Sequence, residues 1–454
     1  MRHVVVSNRI IVIGGGISGL SAAYYLNRSG IRPTLIEKSE RLGGVIRTEH
    51  IEGCTLEGGP DSFLAIKPAA VDLIKDAGLG DEVIGSNDEL RATFILKRGK
   101  LQPLPDGMMM MIPTKIVPVV KSRLLSWPTK LKMGMEYFRR PSKHADRSVR
   151  DFLLDHYGAE SVDYLAEPLL AGVYGGDPAE LSVNSVLTRF VEMEAKYGSL
   201  TRAVLSQPRP KGSGPLFRTL KPGLGALVDA IVGSADVVRG EAESIERVGR
   251  GWRVRVNGGW MEADTVVLAV RAFQAGKLLK PLDAPAGELL AAIPYNSSLT
   301  LSIAYRRDDI RHPLNGHGFL VPKRERKHVK ACTWVHRKFN YRVPEGLVVM
   351  RCFMSGESLN QTDDTLVEIA RDELRGVMGV DASPVFHTVH RWPAAMAQYT
   401  VGHQKRIAEL QERLKPLDGL YAAGNYFDGI GIPDCIRLGR VAADQAARRV
   451  ESIA

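Results

Sequence analysis

The residues near the N-terminus best suited to chemistry are its smallest. Gly14-Gly15-Gly16-Ile17-Ser18-Gly19 has the spacing GxGxxG, and a carboxylate, Glu37, follows further along. Gly14 permits a tight turn, Gly16 leaves the backbone bare so that a pyrophosphate can approach, and Gly19 lets a helix pack closely on a strand. Glu37 can accept hydrogen bonds from ribose hydroxyls, and its charge repels a 2′-phosphate. The chemistry implied is the holding of a dinucleotide by free N–H groups at the positive end of a helix.

Those residues need a strand, a helix and a second strand to position them. Ile10–Ile13 is a short β-branched run of the kind buried in parallel sheets. Apolar residues at helical spacing follow from Leu20 to Leu26, Gly30 stops the helix, and Pro33-Thr34-Leu35-Ile36 reads as a strand ending on Glu37. Further along, the pattern predicts a short helix over 68–78, a hairpin over 93–104 turning at Arg98-Gly99-Lys100, and mainly helix over 151–178, ended by Gly175-Gly176-Asp177-Pro178. An exposed loop is expected at 207–214, a helix from Gly223, strands through 237–270 and 294–390 with one helix near 364–378, and a strand, glycine-rich turn and closing helix over 419–454. The strand at 263–270 reads as buried and as returning to the dinucleotide domain.

Bulk properties narrow the function classes. The 454 residues are 44% hydrophobic and 25% charged, an ordinary globular composition. Cys54, Cys332, Cys352 and Cys435 form no CxxC pair, so neither a metal site nor a redox dithiol is expected. Scattered cysteines suit a reducing compartment, so a cytoplasmic protein is expected. No apolar run reaches the roughly 18 residues of a spanning helix. The net charge of +10 comes mostly from 115–150, where Lys115, Lys121, Arg123, Lys130, Lys132, Arg139, Arg140, Lys143, Arg147 and Arg150 face only Glu136 and Asp146. That segment reads as a helical lobe with a basic face, open to three uses: a solvated surface, contact with an anionic membrane or partner, or guidance of an acidic substrate. Nucleic acid is not expected, because basic and aromatic residues are not interleaved as a stacking platform needs.

Glu37-Lys38-Ser39-Glu40-Arg41-Leu42-Gly43-Gly44 resembles the extended signature of the FAD-binding amine oxidase and desaturase superfamily, in which a second glycine pair passes close to the cofactor. Gly424-Asn425-Tyr426-Phe427-Asp428-Gly429-Ile430-Gly431-Ile432-Pro433-Asp434-Cys435-Ile436 resembles the closing flavin motif of porphyrinogen oxidases. Gly59-Pro60-Asp61-Ser62-Phe63, Glu167-Pro168-Leu169-Leu170-Ala171-Gly172-Val173-Tyr174, Ala331-Cys332-Thr333-Trp334, Arg391-Trp392-Pro393 and Gln398-Tyr399-Thr400-Val401-Gly402-His403 are similar to the same family. The whole looks most like its soluble bacterial branch.

The resemblance implies an α/β architecture: a Rossmann-like FAD-binding domain (1–48, 219–293 and 391–454), interleaved with a mixed-sheet α+β substrate domain (49–104, 168–218 and 294–390) and a helical lobe (105–167). In membrane-bound relatives that lobe contacts the bilayer. Here it reads as charged rather than greasy, so a soluble or loosely peripheral enzyme is expected. For FAD, the resemblance implies Gly14, Gly15, Gly16, Ile17, Ser18 and Gly19 at the pyrophosphate and Glu37 and Lys38 at the adenosine ribose. Gly43, Gly44 and Val45 pass near the cofactor; Gly59, Pro60, Asp61 and Ser62 lie by the flavin; Ala242 lies near adenine. Trp392, Gly424, Gly431, Ile432 and Pro433 belong to the flavin end, where a helix N-terminus stabilises charge on the reduced ring.

The implied reaction oxidises coproporphyrinogen III to coproporphyrin III in haem biosynthesis. Three rounds of hydride transfer to flavin, each followed by reoxidation with O₂, release H₂O₂, and the product passes to the next enzyme of the pathway. Protoporphyrinogen IX is the alternative substrate. Lys67 and Arg351 are candidate partners for the substrate's carboxylates, and Phe353 and Tyr174 candidate walls of its cavity. No catalytic base is assigned. An amine oxidase, a carotenoid desaturase or a non-catalytic flavoprotein on the same scaffold are the competing readings.

Overall fold

The computed structural model describes residues 10–90, 92–206 and 214–453. A five-stranded parallel sheet organises it, in the order Asp236–Arg239, Thr34–Glu37, Ile10–Ile13, Thr265–Leu268, Leu420–Ala422. The central runs IIVI and TVVL are buried at every position, as strands covered on both faces must be. Alternate side chains divide between two cores. Ile10 and Val12 pack with Leu20, Leu26 and the helix Ile432–Ile453, while Ile11 and Ile13 pack with Trp252, Val254 and the helices Ala272–Leu279 and Ala284–Ala291. The helices Ile17–Arg28 and Ile432–Ile453 cross where a Cβ on Gly439 would lie 2.3 Å from the Ser18 carbonyl oxygen. That close crossing brings their first turns to the same edge of the sheet.

A second, seven-stranded sheet runs Phe386–Ala397, Tyr295–Arg306, Leu347–Ser355, Val329–Trp334, Gly318–Leu320, Thr93–Lys97, Lys100–Pro103. It is mixed, because Gly318–Leu320 pairs in parallel with Thr93–Lys97. One face carries Leu299, Leu301, Ile303, Met350, Cys352 and Met354 onto the helix Asp363–Met378. The other face presents Thr300, Ser302, Arg351, Phe353, Thr333, His390 and Trp392, brought side by side by the strand register. The hairpin at 93–103, the helix Pro68–Asp76 and the helix Asp363–Met378 fall where the pattern puts them. The loop expected at 207–214 lies outside the described residues except for Gly214.

Packing runs across three of the expected boundaries. The helices Val183–Val186, Thr188–Tyr197 and Leu200–Leu205 share one core with Val119, Phe152 and Leu170, so the lobe does not end at 167. Strand Phe386–Ala397 is unbroken, so no domain changes at 391. Ala70, Val71, Leu73 and Ile74 pack with Ile10 and Leu20, so the helix Pro68–Asp76 belongs to the cofactor core rather than the substrate domain.

The lobe is also not simply charged. Trp127, Leu131 and Met135 recur at helical spacing along Trp127–Met135 and are 69%, 66% and 57% exposed. Phe138, Ile116 and Val117 are exposed beside them in sequence. Meanwhile several of the cations turn inward: Lys130 donates to the Val120 and Ser122 carbonyls, Lys132 to Leu154, and Arg147 to Asp155 and Glu194. Counting charges along the chain missed this, because a short helix buries only one face. Among the described residues no helix is long and apolar enough to cross a membrane.

Candidate active site

The glycine turn is the most constrained backbone of the cofactor domain. Gly14 has φ +108°, and a Cβ there would meet the Ala269 carbonyl oxygen at 2.5 Å. A Cβ on Gly19 would lie 1.9 Å from the Gly14 oxygen, whereas one on Gly16 would have nothing within 4 Å. Two glycines are therefore required by packing. The third leaves a gap at the N-terminus of Ile17–Arg28, where free N–H groups converge. The second glycine pair closes on the first: Gly43 N–H donates to the Gly15 carbonyl at 2.8 Å, and Gly44 is so close to Gly16 that a Cβ would sit 3.1 Å from its Cα. Arg41 holds this crossing by donating to the carbonyls of Leu42, Ile46 and Gly44. Glu37 accepts from Gly15 N at 2.6 Å, Ser39 N at 2.8 Å and Ser39 Oγ at 2.6 Å. Its carboxylate is thus fixed at the strand end beside the gap. Lys38 points away to Glu241, 3.8 Å distant, and Ala242 opens the strand that follows. This cradle fits a dinucleotide: Gly16 with the first turn of its helix would hold the pyrophosphate, and Glu37 the ribose.

Val45 and Gly59 carry the cofactor strip to the second sheet. A Cβ on Gly59 would lie 1.8 Å from the Val45 oxygen, and 3.7 Å from the Trp392 ring. Trp392 donates its indole N–H to the Gly58 carbonyl at 2.7 Å and stacks on His390, with interplanar angle 8°. The Gly424 turn joins the same seam: Asn425 donates to the Ala395 carbonyl, and the Tyr399 hydroxyl donates to the Asn425 carbonyl at 2.7 Å. At the head of the C-terminal helix, Ile432 and Pro433 are buried, and Gly429 and Gly431 crowd Asp434.

The four candidate substrate residues separate into two groups. Arg351 and Phe353 lie on the polar face of the large sheet, the Arg351 guanidinium 4.6 Å from the Phe353 ring centre. Arg351 is not the free cation expected for a carboxylate ligand. It is buried, donates to the Gly59 carbonyl and lies 3.5 Å from Asp61. Lys67 is likewise committed, its ammonium 2.7 Å from both oxygens of Asp434. With Asp434 it borders a cavity of about 500 Å³ between the helices Pro68–Asp76 and Ile432–Ile453. Tyr174 lies toward that end, its ring 6.3 Å from Tyr399, and burial with nearby Asp434 and Asp428 pushes its hydroxyl up to about 12. Burial pushes His403, stacked on Tyr399, down to about 4. Both groups stay neutral near pH 7 and neither exchanges a proton there.

Asp61 is the most strongly perturbed carboxylate of the seam. Lys338 Nζ donates to both its oxygens at 2.9 Å, and Ser62 Oγ donates at 2.6 Å. Burial would raise its pKa, but the Lys338 and Arg351 cations outweigh it and hold the carboxyl well below its usual range. Sequence reading missed Lys338, Tyr295 and Arg271. Arg271 stands at the N-cap of the helix Ala272–Leu279 and donates to the Pro393 carbonyl, and the Tyr295 hydroxyl accepts from Ala272 N and donates to Asn425 Oδ1. None of these has a local motif; each acquires its place from a partner more than a hundred residues away or from the end of a strand.

The flavin containing amine oxidoreductase family model matches residues 17–447. A coproporphyrinogen III oxidase of Bacillus subtilis (strain 168) is 33% identical, covering 96% of this chain and 97% of its own. A chloroplastic protoporphyrinogen oxidase of Nicotiana tabacum is 27% identical, covering 94% of this chain and 83% of its own. A solved structure from Exiguobacterium sp. 255-15, assigned to protoporphyrinogen oxidase, superposes with TM-score 0.87 at 30% identity, covering 98% of this chain and 99% of that one. Cyclohexylamine oxidase from Brevibacterium oxydans shares the fold, at TM-score 0.72 and 17% identity. The chain is an FAD-dependent oxidoreductase belonging to the flavin containing amine oxidoreductase family, on the branch that the porphyrinogen oxidases form.

Proposed function

We propose that this enzyme oxidises coproporphyrinogen III to coproporphyrin III in haem biosynthesis, with O₂ as the final acceptor and H₂O₂ as the by-product. The observation that carries the reading is the end-to-end similarity to coproporphyrinogen III oxidases, with relatives at 33% and 31% identity each matching 96% of the chain. Bound FAD supplies the hydride acceptor. The chain's part is to hold the macrocycle against it. Phe353, flanked in register by Thr300 and Ala331, offers an apolar platform of macrocycle-compatible chemistry. Trp392 and Gly59 fix the seam between platform and cofactor strip, and the buried residues around Tyr174 and Tyr399 exclude water from its far end. Lys67, with its half-exposed ammonium, remains a carboxylate partner if a propionate displaces Asp434.

The deciding experiment compares kcat/KM for coproporphyrinogen III and protoporphyrinogen IX under O₂, following porphyrin fluorescence and H₂O₂ together. A preference for the tetracarboxylate of at least tenfold is expected. A preference for protoporphyrinogen IX selects the alternative substrate, and inactivity on both rejects the reading. A second observation favours peripheral membrane contact through the lobe: exposed Trp127, Leu131 and Phe138 lie in a segment rich in lysine and arginine, and such a mixture suits an anionic lipid surface. Co-sedimentation with anionic vesicles is expected, and its loss in Trp127→Ser/Leu131→Ser with unchanged turnover.

A further inference from the structure

Lys338 belongs to no motif and lies far in sequence from the glycine turns, yet it controls a group at the centre of the seam. It closes the short helix Val335–Lys338, and its stem is framed by the Phe217 and Phe339 rings, 5.2 Å and 5.1 Å from the ammonium. The side chain is 14% exposed and has one carboxylate partner, Asp61, itself 17% exposed. Arg351 approaches the same carboxylate from the large sheet at 3.5 Å. Asp61 sits two residues after Gly59, where an added Cβ would lie 1.8 Å from the Val45 carbonyl oxygen of the cofactor strip and 3.7 Å from the Trp392 ring.

We propose that Lys338 is a positioning residue for porphyrinogen oxidation: it pins the Asp61 carboxylate at the seam through two hydrogen bonds, where that carboxylate accepts a hydrogen bond from the pyrrole N–H groups of the macrocycle. The inference rests on the porphyrinogen reading. A carboxylate has about four acceptor positions. Ser62 and Lys338 fill three of them, two by Lys338. Arg351, at 3.5 Å, leaves room for one more donor. Asp61 retains an exposed edge on which that donor can arrive. A porphyrinogen presents N–H donors at its centre and carboxylates at its rim. An anion near the centre of the site orients the macrocycle and repels a propionate that would enter the wrong way round. The neighbouring titratable groups do not compete for the role. His317 is engaged with the Asn87 carbonyl, burial lowers its pKa, and Asp88 is paired in a hydrogen bond with Ser86.

Removing the ammonium takes away the cation that donates to both oxygens and leaves Arg351, at 3.5 Å, alone beside the carboxylate. Its proton affinity then rises, and a protonated Asp61 no longer serves as a fixed acceptor. The test uses holoenzyme of the wild type, Lys338→Met and Lys338→Arg, with two readouts: kcat/KM for coproporphyrinogen III from pH 5 to 9, and affinity for the product porphyrin by fluorescence quenching over the same range. Wild type and Lys338→Arg are expected to have no acid limb from this group. Lys338→Met is expected to gain one, with kcat/KM and porphyrin affinity both falling about tenfold or more at pH 5.5 relative to pH 8, the loss expected for one charge-assisted hydrogen bond. The flavin visible spectrum and circular dichroism report whether each variant keeps its cofactor and fold. A Lys338→Met profile that parallels the wild type in both readouts overturns the proposal. If wild-type holoenzyme oxidises no porphyrinogen, the functional reading has failed instead.

Discussion

At the cofactor end of the site, the decisive positions are glycines whose missing side chains let backbones touch: Gly14 on Ala269, Gly19 on Gly14, Gly44 on Gly16. At the sheet end, the decisive positions are charged side chains that meet across the whole chain: Lys338 with Asp61, and Arg342 with Glu57 at 3.0 Å. Both are dense, but they fail differently. The first tolerates no added atom, and the second tolerates no lost charge. The glycine cradle is held by backbone, which is blind to the rest of the sequence; the sheet end is held by pairs that other sequences can exchange.

The sheet end is expected to give the largest effect. Arg342 is 1% exposed and also donates to Thr219 Oγ1 and the Leu220 carbonyl. Arg342→Leu leaves Glu57 buried without its cation and is expected to cost about 4 kcal/mol in urea unfolding. Replacing Glu57 by leucine in the same chain should return part of that loss. If the double variant is no more stable than the single one, the pair is not the source of the penalty.

The cofactor end follows. Gly19→Ala, although alanine favours helix, is expected to cost about 3 kcal/mol because both surfaces in contact are backbone. Gly16→Ala separates grip from packing: stability should stay within about 0.5 kcal/mol, while FAD affinity, measured by release on dilution, falls at least about tenfold, some 1.4 kcal/mol. Unchanged FAD affinity in Gly16→Ala would mean that the pyrophosphate does not use that gap.

A smaller effect tests whether paired charges outside the site behave like those within it. Glu160 joins the lobe to the hairpin by accepting from Lys97 at 2.8 Å, and from Ser126 and Thr129. Burial would raise its carboxyl, but these donors bring it from 4.5 down to about 2. A depressed carboxyl stabilises the fold above its unfolded value and loses that contribution as pH falls through the folded one. The stability gap between wild type and Glu160→Gln, about 1 kcal/mol at pH 6, should therefore shrink between pH 4.5 and 2 and vanish below. A gap independent of pH would assign it to shape rather than charge.

What was legible in the sequence follows the same division. The turn from Gly14 to Gly19, Glu37 and the pair Gly43-Gly44 are local patterns with local causes, and they fold where their spacing puts them. Lys67 and Arg351 were singled out as cations for a substrate carboxylate, but the partners the structure gives them, Asp434 and Asp61, lie 367 and 290 positions away, and no periodicity connects them. The lobe illustrates a third case. Its charges were countable, but which of them turn inward depends on carbonyls such as Leu154 that only the packed helices expose. A core and a strand run through 167 and 391: Pro168 is taken up in the first turn of the helix Glu167–Tyr174 and Pro393 inside the strand Phe386–Ala397, so neither proline ends an element there.

Strand Phe386–Ala397 has a mechanical consequence. It is paired to Tyr295–Arg306 from Phe386 to Trp392 and again at Met396 and Ala397, with a bulge between. At Ala394 its backbone turns to φ +45°, and the Ala394 amide is tied to Ser297 Oγ at 2.9 Å. Along its length it is laced to the loop at Gly58 by Trp392, to the cofactor sheet by Arg271 on Pro393, and to the C-terminal turn by Asn425 on Ala395. Just beyond it, Gln398 reaches the Tyr174 carbonyl of the lobe. A single strand thus ties together the large sheet, the Gly58 loop, Arg271 beside the cofactor sheet, the C-terminal turn and the lobe. Moving the two sheets apart would break several of these ties at once.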